Sequence, residues 1–137
     1  MSVIVTDTGF APDNWARDLA VDLAHDHEAL VLDLGSDADP EVHRDNLAAA
    51  KMIRVDFPSF ADGRGFTIAQ RLRAMGYTGR LRARGHVIAD QYAMARRAGF
   101  DEVEISQSLA ARQPEAQWLA RADWRAHDYQ SRLRRRA

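Results

Sequence analysis

The feature of this sequence that most constrains its fold is a repeated alternation between strand-like runs and amphipathic stretches. The strand-like runs end in polar residues, and they lie at Val3–Thr6, Ala29–Asp33, Met52–Asp56, Arg80–Arg84 and Glu102–Ile105. Parallel strands need a covering helix on each return, so repeated βα units predict an α/β fold with a mostly parallel sheet, right-handed crossovers and helices on both faces. A flavodoxin-like open sheet is the first choice. The alternative is an incomplete βα barrel closed by a second copy, because chain order does not reveal whether the sheet closes.

Helix-start signals precede the first two amphipathic stretches. Asp13 can accept hydrogen bonds from the free amides of a first helix. Its apolar face would carry Trp15, Leu19, Ala20, Leu23 and Ala24. Asp39 and Pro40 predict the start of a second helix, since proline is tolerated at the first helical position. The inner face of that helix would include Val42, Leu47 and Ala50.

Similar signals bound the later elements. Thr67 and Gln70 have the spacing of a capping box, and Gly76 predicts the end of this third helix. A fourth helix is predicted over Ile88–Ala98, and the alternating acids of Glu102–Ile105 suit a strand at the sheet edge. The inward positions of the fourth helix would be Ile88, Tyr92 and Ala95. A last helix is predicted over about residues 114–133, with Trp118, Ala122, Tyr129 and Leu133 in phase.

Length and composition predict one domain over residues 1–137 and exclude several kinds of chemistry. A chain of 137 residues that is 46% apolar can bury one sizeable core. It has no cysteine, which excludes disulfides, thiolate-ligated zinc and thiol redox relays within the chain. No apolar run approaches the ~18 residues needed to span a bilayer, and residues 1–10 lack a basic segment followed by a long apolar one. These observations predict a cytoplasmic protein with no membrane contact.

Charge is distributed unevenly along the chain. Residues 1–50 carry eleven acidic residues and two arginines, whereas residues 51–100 carry ten basic residues and three acidic ones. The acidic elements could pack beside the arginine-rich middle, or each could face a separate partner of opposite sign. The overall net charge of -1 argues against general nucleic-acid binding.

A family resemblance is carried by the middle of the chain, over about residues 28–105. The residues that carry it are the stretch Phe57–Thr67, then Leu72-Arg73, Gly76-Tyr77, Leu81–Ala83, Gly85, Val87, Asp90-Gln91, Arg97 and Gly99–Asp101. This pattern resembles domain-of-unknown-function family 934, a bacterial family described as an oxidoreductase involved in sulfite reduction. The chain departs from the family pattern at Arg84, His86 and Ala98, where an apolar residue, Asp and Cys are frequent.

The resemblance implies a role in sulfur assimilation, because genes of this family lie beside those for assimilatory sulfite reductase. It therefore implies either an oxidoreductase or an accessory of one, with sulfite reductase as the partner. A cysteine-free oxidoreductase would need a bound flavin or nicotinamide. The alternative is a non-catalytic module that binds an anion or an acidic protein surface. The sequence identifies no cofactor and no catalytic residue, and a homo-oligomer is compatible with it.

A loop in the middle of the chain has the composition of an anion site. Ligands of open parallel sheets bind beyond the carboxyl ends of the strands, and the loop Asp62–Gly65 leads into a helix N-terminus whose amides favour an anion. The predicted site comprises Asp62, Gly63, Arg64, Gly65, Thr67 and Arg82, with a small oxyanion as ligand. In the competing interpretation Asp62 makes an Asx turn, the glycines adopt positive φ, and Arg64 pairs with the acidic N-terminal half.

Four further residues are candidates by position. Asp56 and His86 follow predicted strands, and Asp90 and Gln91 lie at the start of the fourth helix. Arg82 has a second interpretation, in which it is buried against a carboxylate such as Asp56. No metal site is predicted, because the cluster His25–Glu28 is explained by the favourable dipole at a helix C-terminus.

Overall fold

The computed structural model describes residues 2–13 and 30–125. The strands are β1 (Ser2–Thr6), β2 (Gly9–Pro12), β3 (Leu30–Leu34), β4 (Ala50–Phe57), β5 (Arg80–Gly85) and β6 (Glu102–Ser106). The α-helices are α1 (Arg64–Ala74), α2 (Tyr92–Ala98), α3 (Gln107–Arg112) and α4 (Glu115–Leu119), and short 3-10 helices span Pro40–Asn46 and Ala89–Gln91. The first predicted helix, the cluster His25–Glu28 and the positions Tyr129 and Leu133 lie outside the described residues. None of the helices within the described residues is long and apolar enough to cross a membrane.

The strands form one sheet in the order β2-β1-β6-β5-β4-β3. The neighbours β3, β4, β5 and β6 are parallel, whereas β1 is antiparallel to both β6 and β2. The predicted α/β fold with a mostly parallel sheet is therefore confirmed, and the flavodoxin-like order is not. The parallel strands follow one another in chain order, which is the order found in βα barrels, but this sheet is not closed.

One sequence-based expectation about the strands was wrong, and one strand was not predicted. The run Glu102–Ile105 was expected at the sheet edge, yet β6 lies in the interior between β5 and β1. The hairpin of β1 and β2 was not expected, because β2 contains only four residues and ends in Pro12. Alternating acids predict an edge only when no neighbouring strand can supply opposite charges, and in this sheet β5 supplies three arginines.

One face of the sheet carries the apolar core. Val55 and Phe57 of β4, Ala83 of β5 and Ile105 of β6 are at most 1% exposed, and their even spacing places them on the same face. The helices pack on that face and supply further core residues, among them Phe66, Ile68, Ala69, Leu72, Tyr92, Ala95, Leu109 and Trp118. The described helices thus cover the apolar side of the sheet.

The opposite face carries charged side chains. Arg82 is completely buried, and its guanidinium lies 2.8 Å from a carboxylate oxygen of Glu102 and 2.8 Å from one of Glu104. On the neighbouring strands Arg54 pairs with Asp33 at 2.6 Å. The interpretation of Arg82 as a buried, paired side chain is confirmed. Its partners are these glutamates and Asp13, at 3.3 Å, and Asp56 is not among them.

Several helix boundaries in the structure differ from those predicted from the sequence. The capping box at Thr67 and Gln70 does not start a helix, because α1 already begins at Arg64 with Gly63 as its N-cap. The cap at Asp39 is confirmed, since its side chain accepts a hydrogen bond from the amide of Glu41 at 3.1 Å. The following helix is a 3-10 helix, and Val42, expected inside, is 75% exposed.

Helix ends at glycine were predicted more reliably. Both Gly76 and Gly99 have positive φ, at 98° and 116°, within two residues of the ends of α1 and α2. The fourth helix begins as a 3-10 turn and continues as α2, with Tyr92 and Ala95 buried as expected and Ile88 half-buried. The last helix is shorter than expected, and Trp118 is 1% exposed as its inner residue.

Candidate ligand-binding site

The loops that follow β4 and β5, together with the helix α3 that follows β6, line a cleft at the carboxyl ends of the parallel strands. The cleft has a volume of about 280 Å³, and its lining residues are Phe60, His86, Ile88, Leu109, Arg112 and Gln113. We call it the carboxyl-edge cleft. Such clefts are where α/β proteins with open parallel sheets bind their ligands.

Two glutamine side chains hold the loops of the cleft together. The amide of Gln91 donates to the carbonyl of Phe60 at 2.7 Å and accepts from the backbone amide of Ile88 at 3.1 Å. The side-chain oxygen of Gln113 accepts from the backbone amide of Ala89 at 2.7 Å. Three separate segments of the chain are thereby joined, so the walls of the cleft are preorganised.

A tight turn places His86 on the cleft. Gly85 has a φ of 115°, and a Cβ atom at this position would lie 2.7 Å from the carbonyl oxygen of Phe57. This close approach lets the backbone amide of His86 donate to that oxygen at 2.9 Å. The His86 Nδ1 atom lies 3.3 Å from the same carbonyl oxygen. A residue with a side chain in place of Gly85 would be strained and would disturb this wall.

The lining combines apolar surface with positive charge. Phe60 is 59% exposed, and Leu109 forms part of the apolar floor. The guanidinium of Arg112 has no hydrogen-bond or ion-pair partner within the described residues. None of the described residues that line the cleft is acidic. The arrangement can bind an anion that also carries an apolar group.

The loop predicted to bind an anion already holds one of the chain's own carboxylates. Asp62 accepts from the backbone amide of Arg64 at 3.1 Å, which forms the Asx turn of the competing interpretation. The guanidinium of Arg64 also donates to Asp62, at 2.8 and 3.0 Å, and to the hydroxyl of Ser36 at 2.9 Å. These hydrogen bonds from Arg64 hold the pKa of Asp62 well below its usual range.

The remaining details of that interpretation differ from the structure. Arg64 pairs within its own loop, and Gly63 has a φ of -87°. Gly65 lies inside α1, and its φ is not positive. The role of Gly65 is to allow close packing, since an added Cβ would lie 2.4 Å from the ring of Phe57.

The structure does not bring the predicted site residues together. Asp62, Gly63, Arg64, Gly65 and Thr67 lie at the start of α1, on the apolar side of the sheet. Arg82 lies on the charged side of the sheet and is bonded to carboxylates. Asp56 is exposed at the end of β4, and Asp90 pairs with Arg121 at 2.9 Å. Of the other candidates, His86 lines the cleft and Gln91 supports it.

Sequence reasoning did not select Phe60, Arg112 and Gln113 as site residues. Phe60 offered a signal, because it is an aromatic residue in a polar loop after a strand. Arg112 and Gln113 follow β6 through α3, a helix that was not predicted. Ser106 caps the start of α3, because its hydroxyl accepts a hydrogen bond from the backbone amide of Leu109 at 3.1 Å.

The fold and the cleft define an α/β protein with a preorganised pocket at the carboxyl edge of a mostly parallel sheet. The chain belongs to the family described as bacterial protein of unknown function (DUF934), whose model matches residues 31–137. Neither a curated protein nor a solved structure matches the chain.

Proposed function

We propose that this protein is an accessory of assimilatory sulfite reduction that binds a ligand in the carboxyl-edge cleft, with sulfite reductase as its partner in the cytoplasm. The resemblance to family 934 supplies the link to sulfite reduction. The observation that supports a binding role is the cleft itself. Its floor is apolar, and the Arg112 guanidinium on its wall has no partner among the described residues.

The size and construction of the cleft favour binding of a small molecule. Pockets for drug-sized ligands usually measure roughly 300–1,000 Å³, and this cleft, at about 280 Å³, lies just below that range. A dinucleotide would extend well beyond it. The hydrogen bonds of Gln91 and Gln113 fix the walls before any ligand arrives, which reduces the entropic cost of binding.

Growth on a defined sulfur source tests the proposal. A strain of the source bacterium without this gene should grow poorly on sulfate and normally on cysteine. The wild-type gene and the control Arg121→Gln should restore growth on sulfate, whereas Arg112→Gln should restore it only in part. Arg121 is an apt control because it is an exposed arginine paired with Asp90, and it does not line this cleft. Full growth of the deletion strain on sulfate would refute the role in sulfite reduction.

The absorbance spectrum of the purified protein and its co-purification with sulfite reductase distinguish an accessory from an oxidoreductase. We expect a colourless protein that co-purifies with sulfite reductase. A flavin absorbance spectrum, with flavin released on denaturation, would instead identify an oxidoreductase and contradict the accessory role.

A further inference from the structure

We infer that the ligand of the carboxyl-edge cleft is a small organic anion in which a sulfonate or carboxylate group is joined to a flat apolar ring. This inference rests on the proposed function, since it names the ligand class of the same cleft. Its two parts, the charged group and the ring, are argued separately from the lining residues.

The anionic group follows from the charge balance of the cleft. Four arginines beside the other cavities of the described chain are paired with carboxylates, whereas Arg97 donates to the backbone carbonyl of Trp124 and Arg125 lies over the Trp124 ring. The pairs are Arg44 with Glu41, Arg64 with Asp62, Arg71 with Asp39, and Arg121 with Asp90. Arg112 has no such partner among the described residues, and no acidic residue lines its cleft. A guanidinium binds the two oxygens of a carboxylate or sulfonate with a pair of charge-assisted hydrogen bonds.

The ring follows from Phe60. Its side chain is 59% exposed, although its backbone is fixed by the hydrogen bond from Gln91 to its carbonyl oxygen. An aromatic side chain in this position can stack on a flat ligand group, and Ile88 and Leu109 would contact the ligand from the other walls. Covering this surface would remove apolar area from water, which favours binding.

The size of the cleft favours a single ring over a protein segment. A stable protein interface buries more than roughly 1,000 Å² in total. Of the exposed large apolar residues Val42, Phe60, Met94 and Leu119, the cleft is lined by Phe60 alone. The apolar surface at this position is therefore local, and it suits one ring.

Calorimetric titration with benzenesulfonate tests the ligand class. We expect benzenesulfonate and benzoate to bind the wild-type protein. Methanesulfonate, which lacks the ring, and benzyl alcohol, which lacks the charge, should each bind at least about tenfold more weakly. Absence of measurable benzenesulfonate binding to the wild-type protein would overturn the inference.

Matched variants locate the binding in the cleft. Arg112→Gln should weaken benzenesulfonate binding about tenfold or more, since a charge-assisted hydrogen bond is lost. Phe60→Ala should weaken it roughly threefold to tenfold. Arg121→Gln should leave it unchanged. Both cleft residues are exposed, so the variants should retain the wild-type urea midpoint. Unchanged binding in both cleft variants would place the ligand elsewhere and refute the inference.

The growth and binding experiments distinguish failure of the inference from failure of the proposed function. Normal benzenesulfonate binding together with full growth of the deletion strain on sulfate would refute the function and leave the ligand class standing. A sulfate growth defect without benzenesulfonate binding would refute the ligand class alone. Loss of sulfite reductase co-purification in Arg112→Gln, without benzenesulfonate binding to the wild-type protein, would identify a protein surface as the occupant and also refute the ligand class.

Discussion

At the scale of single residues, Arg82 is the side chain whose charge depends most on its partners. It is completely buried in the sheet, where removal from water disfavours its charge. Hydrogen bonds from its guanidinium to Glu102 at 3.0 Å and to Glu104 at 2.8 Å compensate for this loss of hydration. The two glutamates are themselves 4% and 5% exposed, so each charge depends on the others.

Replacing Arg82 with methionine should therefore destabilise the protein strongly. In Arg82→Met the carboxylates of Glu102 and Glu104 stay buried and lose the completely buried arginine that joins them, although Arg80 still pairs with Glu102 and Arg84 with Glu104. Loss of one member of such a buried cluster costs about 3–5 kcal/mol. Urea unfolding followed by circular dichroism measures this change. The control Arg44→Met removes an exposed pair with Glu41 and should change the free energy of unfolding by about 1 kcal/mol or less. Equal effects of the two substitutions would contradict the importance assigned to burial.

At the scale of elements, the helix α1 is held against β4 by a close backbone approach. The ring of Phe57 occupies the space where Gly65 lacks a side chain, and it also packs against Phe66 with ring centroids 5.0 Å apart. This contact fixes the start of α1, and hence the loop that carries Phe60, relative to the sheet. The position of one wall of the cleft therefore depends on it.

An alanine at position 65 should force the helix away from the strand. Gly65→Ala should destabilise the protein by about 1–3 kcal/mol, because the new Cβ would lie within 2.4 Å of the Phe57 ring. Gly63→Ala should cost less than about 1 kcal/mol, since its Cβ would find its nearest neighbour at 3.8 Å.

A double-mutant cycle checks the cause of this destabilisation. With Phe57→Leu in the background, Gly65→Ala should cost less, because the atoms that clash are removed. Gly63→Ala should show no such coupling to Phe57→Leu. Chemical denaturation of the single and double variants measures both couplings, and an uncoupled Gly65→Ala would show that the cost has another origin.

At the scale of the whole molecule, the sheet is assembled from distant parts of the chain. β1 pairs with β6 from Ser2 opposite Ser106 to Val5 opposite Val103, whereas the family model matches residues 31–137. The matched segment therefore lacks two strands of the sheet. Without them β6 becomes an edge strand, and its buried residues lose their covering neighbour.

The segment 31–137 should consequently fail to fold cooperatively on its own. We expect a broad, weakly cooperative urea transition by circular dichroism, and partial recovery of cooperativity when a synthetic peptide of residues 1–13 is added. This follows because β1 supplies a full hydrogen-bonded ladder and the buried residue Val5. A segment that unfolds with the same midpoint and denaturant slope as the full chain would contradict this expectation.

The tertiary structure also shows how the unevenly distributed charges are arranged. Acidic residues of the N-terminal part pair with arginines of the middle, as in Asp7 with Arg96 and Asp39 with Arg71. The acidic elements therefore pack beside the arginine-rich middle, which was one of the two arrangements predicted from the sequence. Arg112 has no ion-pair partner among the described residues, so its guanidinium can bind a ligand.

The sequence by itself determined those features that depend on neighbours in the chain. It predicted the strands near Met52–Asp56 and Arg80–Arg84, the cap at Asp39, and the helix ends at Gly76 and Gly99. Each of these depends on local φ, ψ preferences or on a hydrogen bond within a few residues. It also identified His86 as a candidate because it follows a predicted strand, and Gln91 because it lies at the start of the fourth helix.

Only the tertiary structure decided the strand order, the partners of Arg82 and the composition of the cleft. These depend on which segments become neighbours across the sheet, and a local pattern is equally compatible with several pairings. β6 looked like an edge strand until β1 and β5 were placed beside it, and its acids then became the partners of Arg82. Phe60 and Arg112 are 52 positions apart and share a cleft only because β4, β5 and β6 lie side by side and end at the same edge.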